Sequence, residues 1–391
     1  MRCVEIDSRR WPAQLASHKK LRWQEFRGPV GIDHLAKPWN DLAHAGTLGP
    51  TADAIWMRCS WSAFGDSDRR LALHALYDGD RLIAVLPLRR TGRLLRAWSA
   101  PVNTKHTPYW AFALAEDRPD AGGTMLQRLL GSADVIDLRP LRGSGPICAA
   151  LTAAAEAAGA TACKDRAGGD IVIDLVRPWE RLRRSLNKKV IANTDRRHRH
   201  LQKLGKLTYG LVRGGGQLGQ VLQECFDLEA TGWKGQRGSP ILANRKTIHF
   251  YTELAFEEAK AQRLAIYTLR LDGRLIAFDY CLRGQGNINV LKESYHPKWA
   301  RYSPGNVLRL MLLRREAEAG KASSYHLGVP LEWKLPWASR TEPLVRLRIY
   351  REGLRAAVGY GCGPWLRGKL KSIPPLRRAV RWGRAAMGQA D

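Results

Sequence analysis

The stretch RYSPGNVLRLMLL, Arg301 to Leu313, reads as a seat for an anion. Ser303 suits a helix N-cap, and Pro304 has no N–H to lose at the first helical position. Gly305 lacks the Cβ that would keep a bulky group off the backbone. A helix start offers free N–H groups and a partial positive charge, which suits phosphate, and Arg301 adds a full charge beside it. The same spelling also fits an ordinary capped helix with Ser, Pro and Gly each in a preferred place. Just upstream, NINVLKESYH ends in three groups able to handle a proton: Glu293, Tyr295 and His296. Strict alternation along 286–294 would put Asn289, Leu291, Glu293 and Tyr295 on one face, with Glu293 at the carboxyl end. The plainer readings are a salt bridge for Glu293 and a turn position beside Pro297 for His296.

Such groups need a frame. Residues 286–328 read as strand, helix and strand, a crossover that lays its strands parallel and right-handed. Ligands of α/β sheets sit where strands end and helices begin. Before this unit, LAIYTLRLDGRLIA (264–277) aligns without gaps on LALHALYDGDRLIA (71–84), with seven of fourteen positions identical. Each reads as a hairpin with an Asp-Gly turn. Two helices are expected before each hairpin: 33–45 and 51–64, the latter capped by Thr51, and 217–231 and 244–260. After the first come the strand YWAFAL, a helix near 120–131, the strand VIDL and an alanine-rich helix to 158. After the second come INVLKES, the helix opened by Ser303, and SYHLGV. The predicted class is α+β, two tandem copies of one domain with mixed central sheets flanked by helices. The expected division is 1–176, a basic connecting helix at 177–206, a second domain at 207–362 and a basic tail at 363–391. The connecting segment holds eleven Lys or Arg against two acids. It reads either as an anion-binding helix or as a connector with one buried stripe and a solvated basic face.

Composition narrows the partners. The chain has 391 residues and a net charge of +28, with 45% hydrophobic residues, enough for a packed core. That charge favours anionic partners without choosing among cofactor phosphates, nucleic acid, glycan and lipid. Seven scattered cysteines form no CxxC, which fits a reducing cytoplasm. No stretch has the apolar length of a signal peptide or membrane span. The tail carries Trp365 and Trp382 among its basic residues, which suits either an anionic inner membrane face or a poorly ordered end. No acid, His or Cys spacing completes a metal site, so no metal is expected. Cys281 reads as core, and Gly214–Gly216 as a turn.

The segment 182–337 resembles the GNAT acyltransferase superfamily. Its wording is similar to the CelD-like branch of polysaccharide-biosynthesis acetyltransferases, related in fold to the FemAB aminoacyltransferases. The resemblance lies in SLNKKVIANTDRRHRHLQKLGKL, TGWKGQRGSPI, LDGRLIAF, YHPKWARYSPGNVL and HLGVPLEWKLPWAS. It implies two GNAT-like domains, the second catalytic and the first supporting. Acetyl-CoA or another acyl-CoA would be held by Val290, Leu291, Arg301, Ser303, Gly305 and Asn306. An amine or hydroxyl of a sugar or polysaccharide precursor would attack the thioester directly, near Trp233, Lys234, Arg237, His326 and Lys334. Glu293 is the first choice for general base and His296 the second, with Tyr295 and His326 as proton donors. Lys334 matches a lysine of the FemAB relatives and would bind an anionic acceptor; a surface lysine is the plainer reading. Aminoacyl-tRNA as donor, or an anion-binding protein on a degenerate scaffold, are the rival functions.

Overall fold

Each of the two similar segments forms a hairpin. The computed structural model describes residues 21–45, 49–91, 96–103, 105–231 and 241–351. Leu71–Asp78 (β2) pairs with Arg81–Arg90 (β3), and Leu264–Leu271 (β9) with Arg274–Gly284 (β10). Asp272 and Gly273 sit at φ 48° and 81°, the left-handed values a type I′ turn demands.

The same order of elements surrounds both hairpins. The first half runs Leu21–Arg27 (β1), Gly28–Ala45 (α1), Ala54–Phe64 (α2), the hairpin, Ala97–Ser99 (β4), Ala113–Leu114 (β5), Asp120–Ser132 (α3), Val135–Arg142 (β6), Pro146–Ala157 (α4) and Thr161–Asp174 (β7). The second runs Leu207–Val212 (β8), Leu218–Thr231 (α7), Arg245–Lys260 (α8), the hairpin, Asn287–Tyr295 (β11), Pro304–Ala319 (α9), Ser324–Gly328 (β12) and Arg340–Tyr350 (β13). This is the tandem α+β architecture expected. Three local readings change. Asp53, not Thr51, caps α2, its side chain accepting from Trp56 N at 2.8 Å. Most of YWAFAL is buried core rather than strand, and only Ala113–Leu114 pairs, with β3. The connecting segment is two helices, Trp179–Ser185 (α5) and Lys188–Gln202 (α6), because the Asn187 side chain caps a fresh start by accepting from Lys189 N and Val190 N.

Among the described residues one sheet of 13 strands runs β1-β2-β3-β4-β6-β13-β7-β12-β11-β10-β9-β8, with β5 on β3. The halves exchange their last strands. β7 crosses to pair with β12, β13 crosses to pair with β6, and the two pair with each other from Tyr350↔Thr161 to Arg340↔Val172. Helices cover both faces. α9 with α5 and α6 packs on one face of the second half, and α7 with α8 on the other. The halves also meet at α2 and α8, where the Trp56 ring stands edge-on to Phe250 at 5.5 Å. Arg263 is bound there between Asp53 of the first half (2.5 Å) and Glu258 of the second (2.7 Å). No helix among the described residues is long and apolar enough to cross a membrane.

Strand exchange ties the stability of each half to the other, since removing β7 would bare an edge of β12. Calorimetric unfolding is expected to show one cooperative transition, with calorimetric and van't Hoff enthalpies equal. Two separate transitions would contradict this coupling.

Candidate active site

β11 and β12 run parallel through three pairs only, Asn287↔Ser324, Ile288↔Tyr325 and Asn289↔His326. Beyond them the strands part. On its other side β11 pairs with β10, but the register slips between Tyr280↔Lys292 and Cys281↔Val290, leaving Leu291 as an extra residue. A bulge of this kind re-aims the side chains beyond it. The expected alternation is thus broken. Asn289, within reach of Tyr109 Oη at 3.5 Å, and Glu293, bound to α9, do not share a face.

The gap opens into a cleft of about 1440 Å³. One wall comes from the second half: β11, the start of α9, and the segment 327–334. The other comes from residues 105–108, β6, β7 and β13. At the floor lies a buried charge cluster. The Arg309 guanidinium, 1% exposed, donates to Glu293 Oε2 at 2.6 Å and Asn306 Oδ1 at 3.1 Å. It lies over the rings of Trp333 and Trp337, 5.3 and 5.5 Å from their centroids. Lys334 Nζ meets Glu293 Oε1 at 2.5 Å and donates to Leu327 O at 2.6 Å. Both oxygens of Glu293 therefore face a cation. Beside them Tyr325 Oη donates to Asp279 Oδ2 at 2.6 Å. Burial pushes the Asp279 carboxyl up to about 6, against the pull of Arg309.

At the mouth, Ser303 takes the N-cap position of α9 with a left-handed backbone (φ 46°, ψ 59°), and its side chain does not cap. Its Oγ accepts instead from Arg197 on α6. Arg197 is therefore the cation bonded to the helix start. Arg301 lies over the Tyr302 ring, and neither arginine lines the cleft. A Cβ placed on Gly305 would meet only Tyr295 Cδ1, at 3.7 Å, so the approach to its backbone is open.

The structure brings Val290, Leu291, Glu293, Tyr295, Ser303, Gly305, Asn306 and Lys334 to one cleft. Lys334 is buried, not a surface lysine. His296 stands outside the cleft, its ring edge-on to Trp299 and its Nδ1 accepting from Lys298 N at 3.2 Å. Burial and the neighbouring Arg274 and Lys298 hold its pKa down. His326 is also outside, buried where β12 meets β7, with Nδ1 2.7 Å from Asp170 Oδ2 and Nε2 2.9 Å from Ser324 Oγ. A buried ring with both nitrogens engaged is poorly placed to bind substrate. Asp170, His326 and Glu342 do hold ligand atoms close enough to share an ion, a grouping the sequence spacing did not show. Arg142 already sets a guanidinium 3.9 Å from Asp170 and 3.6 Å from Glu342. Trp233, Lys234 and Arg237, and the basic tail, lie outside the described residues.

Sequence reasoning missed Arg309 and the first-half wall. An arginine inside the apolar run VLRLMLL was the available signal for Arg309. His106 also lines the cleft, stacked on Phe64 with its Nδ1 3.3 Å from Tyr251 Oη, and burial lowers its pKa to about 4.

Comparisons with known proteins agree with this geometry. Residues 188–335 match the family described as acetyltransferase (GNAT) domain, a span that contains the second-half wall. No curated protein matches the chain significantly. Among solved structures, FemX aligns with a TM-score of 0.57 at 10% identity, covering 81% of this chain and 96% of that one. The C-terminal domain of a protein described as a lysylphosphatidylglycerol synthetase from Agrobacterium fabrum aligns with a TM-score of 0.52 at 16% identity, covering 84% and 95%. At such identities these two likenesses speak to fold. The second half thus matches a GNAT acetyltransferase domain, which supports an acyltransferase.

Glu293→Gln would leave Arg309 buried with its main partner uncharged. Stability is expected to fall by roughly 3 kcal/mol, the low end for breaking a buried pair, because Asp279 remains nearby. Chemical denaturation measures this, and an unchanged midpoint would show that the pair contributes nothing.

Proposed function

We propose that the chain transfers an acyl group, acetyl in the first instance, from acyl-CoA to an amine or hydroxyl of a sugar or polysaccharide precursor, by direct attack on the thioester. The observation that carries this reading is the parting of β11 and β12 beside an open helix start at Gly305. The diphosphate of the donor rests on the start of α9, at the Gly305 N–H, which precedes the first bonds of the helix, from Asn306 N and Val307 N to Ser303 O at 2.9 and 3.2 Å. Arg197 supplies the charge beside it. The pantetheine arm enters the gap between the strands, flanked by Val290 and Leu291.

In this reading Glu293 acts through Lys334. The carboxylate and Leu327 O take two of the three ammonium donors and hold the group in the gap. The remaining donor faces the thioester oxygen, which becomes negative as the nucleophile adds, and a fixed charge there favours the transition state over the substrate. Tyr295, beside Gly305, is placed to hand a proton to the departing thiolate. The acceptor's proton passes to water in the cleft. The fit to CelD-like acetyltransferases rests on sequence resemblance, as does the sugar-linked acceptor. The second half would do the chemistry, residues 207–362, with 1–176 completing the cleft.

Aminoacyl-tRNA as donor is the second reading. The placement of basic α6 against the helix start, through Arg197, favours it.

Gly305→Asp tests the seat. The site has room for a Cβ, so the variant is expected to fold. A carboxylate would then stand where phosphate binds, and one lost charge-assisted hydrogen bond is worth roughly 1.5–3 kcal/mol. Calorimetric affinity for CoA is expected to drop at least about tenfold. Unchanged affinity in the folded variant would remove the helix start from the binding site.

A further inference from the structure

The first-half wall carries cations that no carboxylate balances. Lys105 lies in the segment after β4, Arg139 on β6 and Arg166 on β7; all three are exposed and line the cleft. None has a carboxylate partner among the described residues. Their neighbours do: Arg346 is held by both oxygens of Asp137, at 2.8 and 2.5 Å, and Asp165 is bound by Arg348. The remaining carboxylates on the cleft lie with the opposite wall and floor, where Glu293 already faces two cations.

The backbone here is irregular in a way that packing does not require. β13 lies between β6 and β7, and its register slips against both: between Val345 and Leu347 toward β6, and between Leu344 and Val345 toward β7. Ala167 is left without a partner on β13, and Gly168 sits at φ 139°. A Cβ on Gly168 would meet nothing within 4 Å. A side chain would thus have room, but that backbone conformation strains any residue with a Cβ. Glycine inside a strand weakens it, and often marks a place where a ligand comes close to the backbone. Bulges beside a cleft serve to re-aim side chains.

We propose that this wall, formed by Lys105, Arg139, Arg166 and the open backbone at Gly168, binds a phosphate group of the acceptor while the donor occupies the start of α9. This deepens the proposed function and rests on it for the assignment of acceptor. Phosphate fits better than a single carboxylate. Its several oxygens match two guanidinium forks, and the paired phosphates of a nucleotide-linked sugar bring two charges to three cations. The phosphate's source is a nucleotide-linked sugar or a lipid headgroup, which share this chemistry.

The test is calorimetry on the full chain saturated with coenzyme A, at physiological salt, with inorganic pyrophosphate as probe. Pyrophosphate is expected to bind. In the R139A/R166A variant its affinity should fall by about a hundredfold, roughly tenfold for each arginine, with affinity for CoA unchanged. Both side chains are exposed, so thermal melting should match the parent. Tighter binding of UDP-glucose than of pyrophosphate would uphold the site with a nucleotide source. Binding to phosphatidylcholine vesicles only when they contain phosphatidylglycerol, lost in the variant, would uphold it with a lipid source. Three results would overturn it: no pyrophosphate binding, glucuronate binding as tightly as pyrophosphate, or CoA affinity falling together with pyrophosphate affinity in the variant. If the parent chain binds no CoA, the donor reading fails instead. The same comparison on the unliganded chain then decides the phosphate site by itself.

Discussion

Two parallel strands that stop pairing leave backbone groups with no ladder partner, and a buried polar group without a partner costs free energy. The cleft is organised around that constraint. Past Asn289 and His326, β11 and β12 separate, and side chains take over what the ladder no longer supplies. Lys334 donates to Leu327 O, and Asp170 accepts from Gly328 N. The ammonium brought into the gap needs an anion, which Glu293 provides, and Glu293 in turn neutralises Arg309. Each charge is there because of the one before it. Replacing any of them would leave another buried without its partner, which is why a cluster of this kind holds one geometry.

The exchange of final strands gives the cleft its second wall. Because β7 leaves its own half to lie beside β12, the segment Arg166–Gly169 faces the start of α9. Because β13 returns to β6, Arg139 and Arg346 reach the same space. A site shared between halves can hold two substrates in fixed relation, and that arrangement accelerates a direct transfer. The buried contact of Arg263 with Asp53 and Glu258 fixes the halves on the far side as well. In the proposed account the first half is more than a support, because it selects the acceptor.

Legibility from sequence followed periodicity. The two hairpins, the helices before them and the Ser303 helix repeat simple patterns, and they were placed within a few residues. β7 was invisible because KDRAGGDIVID opens with charge and two glycines, which spell a loop; the irregularity is part of the cleft. The bulge at Leu291 could not be seen, since a single inserted residue leaves the strand's composition unchanged while reversing its faces. Glu293 and Lys334 were both found, but neither their pairing nor Arg309 was: Lys334 and Arg309 are distant from Glu293 in sequence and meet it only in three dimensions. His326 looked like a site histidine, yet the exchange of β7 buries it against Asp170. The expected charge at the helix start was assigned to Arg301, the nearest in sequence, whereas Arg197 arrives from a helix a hundred residues earlier.

The proposed donor is a CoA thioester. This is tested by titrating the purified full chain, at physiological salt, with acetyl-CoA in the absence and presence of aminoacyl-tRNA, and with aminoacyl-tRNA alone. The account predicts one acetyl-CoA bound per chain, with an affinity that aminoacyl-tRNA leaves unchanged. Tight binding of aminoacyl-tRNA with none of acetyl-CoA would contradict it, and would make the basic helix α6, rather than the gap between β11 and β12, the feature around which the donor site is built.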